Sequence, residues 1–447
     1  IDDESYGENS LNSGIRLLYS IKLSTIDDAR RQAASMMFDH SGNQVFELLC
    51  ATYDIEKGYK VVGVFPDDCP LASFTDPDGR VSMHTRVSFG NTPGAHIFSR
   101  TVTAPVAFAL NLLSRVDIGT SPAAFEHAMN LLATPGAILL ETPQRWAALG
   151  YIDDTKLLAI ALKPPLRRTA RIEEAKFVFE SLCKRWRIPL NAVKLRRTAA
   201  AATIKKWLGV MFNCGPEPSV YLDAERVARL VKHLDAHATE LYSKKSYESM
   251  FGLLMHAATV IPVMKLFLNA LRRDMKRAKR RPGAPSKETC ADLAMAAFLL
   301  QRENGVPMRA PLQLPIPAGQ DFQVKVDAST SWGWGGWCVI GRDVYYCSGE
   351  WDAEEKTCPI NALEMAALYL VHAALARVVT NRRLPISFRH ASTCRAVSVR
   401  FRARSDNTTT VAGTNTWKSD SRLSVNVLKL LYVDMAVAHS VIDASHI

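Results

Sequence analysis

Two aspartates stand side by side in "ALGYIDDTKLLAIAL", residues 148–162. Asp153 and Asp154 occupy the seam between two apolar runs that must both be buried. Such a pair is either a turn, where aspartate side chains bond nearby backbone amides, or part of a divalent-cation site. A third acid, Asp54 in "ATYDIEKGYKVVGV", ends an apolar stretch far upstream. Hard cations such as Mg²⁺ or Mn²⁺ take carboxylate oxygens and complete their shells with substrate phosphates. Two such ions can activate a 3′-hydroxyl and stabilise a leaving pyrophosphate.

A second set of acids lies downstream. "VKVDASTSWGWGGWCV" (324–339) puts Asp327 at the end of an alternating strand, before a Gly/Trp-rich turn that Trp332, Trp334 and Trp337 are expected to pack. "INALEMAALYLVHAALA" (360–376) reads as a helix with Glu364 near its start. "RARSDNTTTVAGTNTW" (402–417) places Asp406 after a strand and before a helix. Acids on a strand, a helix and a strand end are what a two-metal nuclease needs. The alternative is that each is an ordinary surface or capping residue, Asp406 capping the helix that follows.

The elements that must position these acids can be read from periodicity. "YKVVGVFP" (59–66) is strand-like in its β-branched content. Residues 93–116 read as a helix after a Pro-Gly start, and residues 148–162 as strand, tight turn, strand. "RIEEAKFVFESLCKRW" (171–186) is an amphipathic helix, and "IKKWLGVMFN" (204–213) belongs to another hairpin. From 222 to 302 the spacing is helical. That stretch holds the basic run "RRDMKRAKRR" (272–281), either a solvated face or a phosphate-tracking stripe. "PGAP" (282–285) interrupts it, and Ser286 suits an N-cap. "APLQLPIPAGQ" (310–320) is a Pro-rich linker, after which "FQVKVDAS" starts a new αβ segment.

The whole chain bounds the reading. Its 447 residues are 48% hydrophobic and 22% charged, enough for a large core in several domains. The net charge of +11 and pI near 9.2 favour an anionic partner, most simply nucleic acid. Nine scattered cysteines without C-x-x-C spacing argue against a zinc ribbon or a disulfide framework. They fit a reducing, intracellular location, cytoplasm or nucleus. No apolar run is long enough for a membrane span. The chain opens at Ile1 without a methionine and stops at Ile447 after an apolar segment, so both ends read as cuts through a longer polypeptide.

In order, these motifs resemble those of reverse transcriptases with a fused ribonuclease H domain. "YIDD" is similar to the Y-x-D-D signature and "YDIEKGY" to the first palm motif, with Asp54 as its metal ligand. Tyr59 falls where the family excludes a ribose 2′-hydroxyl. "VSFGNTPGAHIF" resembles the next motif through Gly90 and Phe98, but has Ala95 where the family has proline. "WLGVMF" resembles the primer-grip hairpin at Trp207, Leu208 and Gly209, and Lys194 loosely matches a lysine that protonates the leaving group. "IDDESYGENSLNSGI" is similar to the fingers of retrotransposons of the DIRS type, whose triphosphate-contacting basic residue would precede Ile1. "DAS…GWGG", "N-x-x-E" and "SDNTT" resemble the nuclease domain. "ASHI" matches a later nuclease motif at His446, with a fourth acid expected beyond Ile447.

The resemblance implies an α+β / α/β multidomain chain. It comprises partial fingers and palm (1–213), a helical thumb/connection (214–309), the linker (310–320) and a truncated ribonuclease H-like domain (321–447). It implies Mg²⁺ or Mn²⁺ held by Asp54, Asp153 and Asp154, and separately by Asp327, Glu364 and Asp406. The implied partners are an RNA template, a DNA primer, their hybrid and deoxynucleoside triphosphates. A catalytically dead retroelement relic and a pararetrovirus-like polymerase are the alternatives.

Overall fold

The structure is a computed structural model. It describes residues 24–39, 43–56, 73–75, 80–83, 98, 102–133, 145–162, 167–191, 200–236, 243–278, 283–302, 304–308, 321–340, 342–381, 399–419, 421–437 and 440–446. The chain divides into two compact units, Ile1–Pro218 and Ser219–Ile447. The expected strand at 59–66 and linker at 310–320 lie outside the described residues.

The first unit begins with α1 (Ile26–Met37), which Thr25 opens with a capping box: its side chain accepts from Asp28 N while Asp28 accepts from Thr25 N. There follow β1 (Leu48–Asp54), the short antiparallel pair β2 (Ser73–Thr75) and β3 (Val81–Met83), α2 (Ala104–Leu113) and α3 (Pro122–Ala133). Next come β4 (Trp146–Tyr151), β5 (Asp154–Ile160), α4 (Ala170–Arg185), and a hairpin of β6 (Ile204–Trp207) and β7 (Val210–Asn213). The helix read over 93–116 is shorter among the described residues. Pro105, which lacks an N–H, sits in its first turn, where none is required. Phe98, ahead of it, is helical and fully buried.

β1, β5 and β4 form an antiparallel sheet in that order. Almost every residue of the three strands is buried, so both faces are covered. One face sends Leu49, Ala51, Tyr53, Trp146 and Leu157 into a core with residues of α2, α3 and α4. Glu174 of α4 is buried in that unit. It accepts from the N–H groups of Ile118 and Gly119 and pairs with Arg145. Burial pushes its carboxyl up, and Arg145 and the two amides oppose the shift. The other face carries Cys50 and Lys156 to the β6–β7 hairpin, where the Lys156 ammonium lies against the Phe212 ring.

The second unit opens with β8 (Ser219–Tyr221). Four helices follow: α5 (Ala224–Ala236), α6 (Lys244–Ala257), α7 (Asn269–Ala278) after a 3₁₀ segment at Pro262–Leu268, and α8 (Lys287–Arg302). β9 (Val306–Pro307) returns to pair with β8. Ser286 caps α8 by accepting from Thr289 N, as its sequence position suggested. In the basic run, Arg272 lies over the Phe251 ring, Arg273 pairs with Glu288 at 2.6 Å, and Arg277 pairs with Asp274. Arg272 and Arg273 therefore brace α7 against α6 and α8, while Arg277 pairs within α7.

The chain continues through β10 (Asp321–Ala328), β11 (Gly333–Ile340), β12 (Asp343–Glu350), α9 (Ile360–Asn381), β13 (Val399–Ser405), α10 (Thr408–Thr416), α11 (Arg422–Val437) and β14 (Ser440–His446). The five strands form one sheet in the order β12-β11-β10-β13-β14. β10, β11 and β12 run antiparallel, and β13 and β14 join parallel to β10. The Gly/Trp-rich run is mostly strand, and only residues 329–332 turn. Its glycines serve close approach: a Cβ at Gly336 would come within 2.6 Å of Val371 on α9. Trp334 lies over Gly349 and the Trp337 ring lies against Lys325 across the β10–β11 pair, but Trp332 is 81% exposed and does not pack the hairpin as expected. Among the described residues no helix is long and apolar enough to cross a membrane.

Within this unit α11 ties the sheet to the helices. Its Lys429 pairs with Asp292 of α8 at 2.6 Å, and its Asp434 with buried His372 of α9 at 2.6 Å. Asp292 is 5% exposed and its second oxygen has no hydrogen-bond partner. Lys429→Met should therefore destabilise the protein by about 2–4 kcal/mol in urea melts, because it strands a buried carboxylate. Adding Asp292→Leu should recover most of that loss.

Candidate metal centres

The β4–β5 hairpin closes in two residues. Tyr151 pairs with Asp154, leaving Ile152 and Asp153 as the loop. Ile152 takes φ +50°, unfavourable for a β-branched side chain. Its neighbours hold it there. Thr103 Oγ1 donates to Ile152 O at 2.6 Å, and Ile55 N donates to Asp153 O at 2.9 Å. Gly150 makes room for this clamp, since a Cβ there would lie 2.5 Å from Thr103 Cγ2. Backbone strain persists only where the surroundings over-determine it.

This turn brings the first acids to one sheet end. Asp154 faces Asp54 directly in the β1–β5 register, and Asp153 caps the same end through its bond with Ile55. Asn191 donates its backbone N–H to Asp54 O at 3.0 Å and its amide to Asp54 Oδ2 at 3.2 Å. All three aspartates are partly exposed. Trp207 is buried, and Leu208 and Gly209 form a tight turn with φ +48° and +76°. Tyr59, Gly90 and Lys194 lie outside the described residues.

The second set converges more tightly. Among the described residues, Asp327, Glu364 and Asp406 are the one group of three such side chains whose ligand atoms all lie within 4.8 Å of one another. Asp327 stands near the end of β10, Glu364 in the first turns of α9, and Asp406 just after β13. Asp327 and Asp406 are exposed, whereas Glu364 is 3% exposed. The Ala328 N–H donates to Asp327 Oδ1 at 2.9 Å and reaches Glu364 Oε1 at 3.3 Å. Glu364 Oε2 is buried with no hydrogen-bond partner. Burial pushes the Glu364 carboxyl up to about 7, the charges of Asp327 and Asp406 push it the same way, and the Ala328 N–H opposes them.

Sequence reasoning missed the residues that secure this cluster. Asn407, not Asp406, caps α10 by accepting from Thr410 N at 3.0 Å, which leaves the Asp406 carboxylate out of the cap. Asn407 also donates to Asn361 at 2.9 Å, linking the β13–α10 loop to the start of α9. The asparagine of "N-x-x-E" was the available signal. His446 approaches the Asp406 carbonyl oxygen at 2.8 Å from β14.

A buried carboxylate oxygen without a donor, beside two further carboxylates, fits a hard divalent cation. The cation would satisfy the orphaned atom and offset the repulsion. A groove of about 800 Å³ runs beside the acids, lined by Asp327, Asp406, Trp332 and Trp334 among others.

No protein-family model matches the chain, and no curated protein does. Solved structures of foamy viral protease-reverse transcriptase align over 98% of it. The complex with RNA/DNA hybrid gives a TM-score of 0.43 at 12% identity, and a dRH form with double-stranded DNA gives 0.42 at 13%. The native prototype foamy virus enzyme gives 0.24 at 14%. The chain spans 48%, 61% and 47% of those chains respectively. With TM-scores this low, the functional reading stands on the chain's own residues.

Two outcomes follow from the geometry. Gly150→Ala should cost about 1–3 kcal/mol by forcing a methyl against Thr103. Thr103→Ser, which keeps the hydroxyl and removes the methyl, should restore most of it in a double-mutant cycle. Saturating Mg²⁺ or Mn²⁺ should raise the melting temperature by about 2–4 °C. Glu364→Gln should abolish that rise, yet leave the metal-free protein at least as stable as the parent.

Proposed function

We propose that this chain is the polymerase and nuclease part of a retroelement replication protein. It would act as an RNA-directed DNA polymerase joined to a nuclease for RNA–DNA hybrids. The observation that carries this reading is the convergence of Asp327, Glu364 and Asp406 within 4.8 Å. Those acids belong to three separate sequence motifs, and convergence by chance of ordinary surface acids would not leave Glu364 Oε2 buried and unsatisfied.

In the nuclease centre, Asp327, Glu364 and Asp406 would hold the divalent ions. Such ions, when bound, supply Lewis-acid stabilisation of a phosphate and a nucleophilic water at neutral pH. The chain's own contribution is positioning. The Ala328 amide orients two of the carboxylates, and Asn407 and Asn361 lock the strand end to the helix start. The exposed edge of the cluster, at Asp327 and Asp406, is where a phosphodiester would enter.

In the polymerase centre, Asp54, Asp153 and Asp154 would serve nucleotidyl transfer from a deoxynucleoside triphosphate to a primer 3′-hydroxyl. The strained Ile152–Asp153 turn sets the acids at the end of the sheet. Tyr59 would exclude a ribose 2′-hydroxyl, Gly90 and Phe98 would support the nucleotide and template, and Lys194 would protonate the leaving group. Trp207, Leu208 and Gly209 would steady the primer end. The +11 net charge suits a duplex held through its phosphates, with affinity that falls steeply with salt. The motif series favours an element of the DIRS type. A pararetrovirus-like polymerase would share the same acids.

The two centres can be tested separately. Asp153→Asn should lower Mg²⁺-dependent primer extension by more than about a hundredfold while leaving hybrid binding within about twofold, because an amide is a poor ligand for a hard cation. Asp327→Asn should do the same to hybrid cleavage and spare extension. Cleavage or extension that persists in the matching variant would remove that centre from the proposal. A parent protein that binds hybrid yet performs neither reaction would point to the relic.

A further inference from the structure

Behind the sheet that carries Asp54, the chain buries a group the polymerase reading does not use. Cys50 lies on β1 and Cys214 just after β7, and their Sγ atoms are 3.4 Å apart. Both thiols are fully buried, and so is Lys156 of β5. The Lys156 ammonium has no hydrogen-bond partner. It sits 3.2 Å from the centroid of the Phe212 ring and 5.8 Å from that of Trp207. An unpaired buried ammonium is expensive unless an anion offsets it. Among the described residues, the anion-forming groups that bear on its charge are these two thiols.

We propose that Cys50 and Cys214, beside the Lys156 ammonium, form an oxidative modification site, at which hydrogen peroxide converts the two thiols into a disulfide. The geometry supplies the reaction's parts. The hydrogen bond shared with Cys214 lowers the Cys50 thiol most, and the positive charges of Lys156 and Lys205 lower it further against the effect of burial. Cys50 is therefore the nucleophile and Cys214, whose thiol is raised, the resolving partner. The Cys50 thiolate attacks one peroxide oxygen and the O–O bond breaks. The departing hydroxide takes the Cys214 proton, giving water, a sulfenic acid on Cys50 and a thiolate on Cys214. That thiolate attacks the Cys50 sulfur, the S–O bond breaks, and the second hydroxide leaves as water with the proton that Cys50 gave up on ionising. Two sulfurs are oxidised, two peroxide oxygens are reduced, and two waters form.

The product would staple the end of the β6–β7 hairpin to β1. The two segments are already in register there: Leu48 N donates to Cys214 O at 3.0 Å, and Cys50 exchanges backbone hydrogen bonds with Ala202. Closing the sulfurs from 3.4 Å to bonding distance thus asks for side-chain rotation and little backbone motion. Cys183 provides an internal contrast. It is buried in the same unit, but burial, reinforced by Glu180, pushes its thiol up to about 12.

The experiment treats the full chain with hydrogen peroxide under native conditions and maps thiols by peptide mass. The expected result is a Cys50–Cys214 cross-linked pair, two hydrogens lighter than its parts, formed while Cys183 stays reduced. The cross-linked protein should melt at a higher temperature, and dithiothreitol should reverse the change. In Lys156→Met the rate of cross-linking should fall by at least tenfold. In Cys214→Ser, oxygen should accumulate on Cys50. Oxidation of Cys183 as fast as the pair would mean reaction through unfolding and would overturn the proposal, and so would a pair that stays reduced after exposed thiols have reacted. Undiminished cross-linking in Lys156→Met would overturn the role of the lysine. None of these readouts depends on polymerase or nuclease activity.

Discussion

Three carboxylates held within 4.8 Å repel one another, and the fold of the second unit is organised to hold them despite that repulsion. Glu364 bears most of the strain. It is buried, one of its oxygens has no donor, and its two acidic neighbours disfavour its charge. A flexible segment would relax by swinging a side chain into water. Here each acid stands on or beside a regular element. α9 carries Glu364 and packs on β10 and β11, with Gly336 allowing Val371 to approach the strand. The cluster is thereby held rigid, as the proposed metal centre requires.

The first unit sets its acids by a different means. No group of ligand atoms comparable to the triad gathers there among the described residues. Backbone geometry does the placing instead. A two-residue turn with a β-branched residue at positive φ is held between the Thr103 hydroxyl and the Ile55 amide. The same sheet is buried on both faces, which fixes its register, because a slip of one residue would carry every side chain to the opposite face.

Charge is used internally as well as at the surface. The basic run at 272–281 reads as either a solvated face or a phosphate stripe, and among its described residues Arg272, Arg273 and Arg277 meet Phe251, Glu288 and Asp274. Glu288 is shared with Arg422 and is held below the usual carboxylate range chiefly by Arg273. Arg272 and Arg273 thus tie one helix of the second unit to its neighbours, while Arg277 pairs within its own helix. An excess of positive charge can describe the whole chain and still say little about any one arginine.

By itself the sequence determined which residue types recur at which spacing. The strand–turn–strand around Asp153, the helices at 170–185 and 360–381, the Ser286 cap and the acid at each strand or helix end were all legible, because local periodicity and turn chemistry are short-range. The ordered motifs also named Asp327, Glu364 and Asp406. Other features were not legible. The Gly/Trp-rich run read as a turn, but it is strand, since what its glycines accommodate is a helix distant in sequence. Asn407 takes the cap that the alternative reading gave to Asp406, a choice between adjacent residues that only backbone direction makes. The approach of Cys50 to Cys214 beside Lys156 depends on strands far apart in the chain. Spacing along a chain reports neighbours within a helix turn or a hairpin. Which distant side chains share a buried volume, and hence which charges and thiols perturb one another, is decided only when the elements pack.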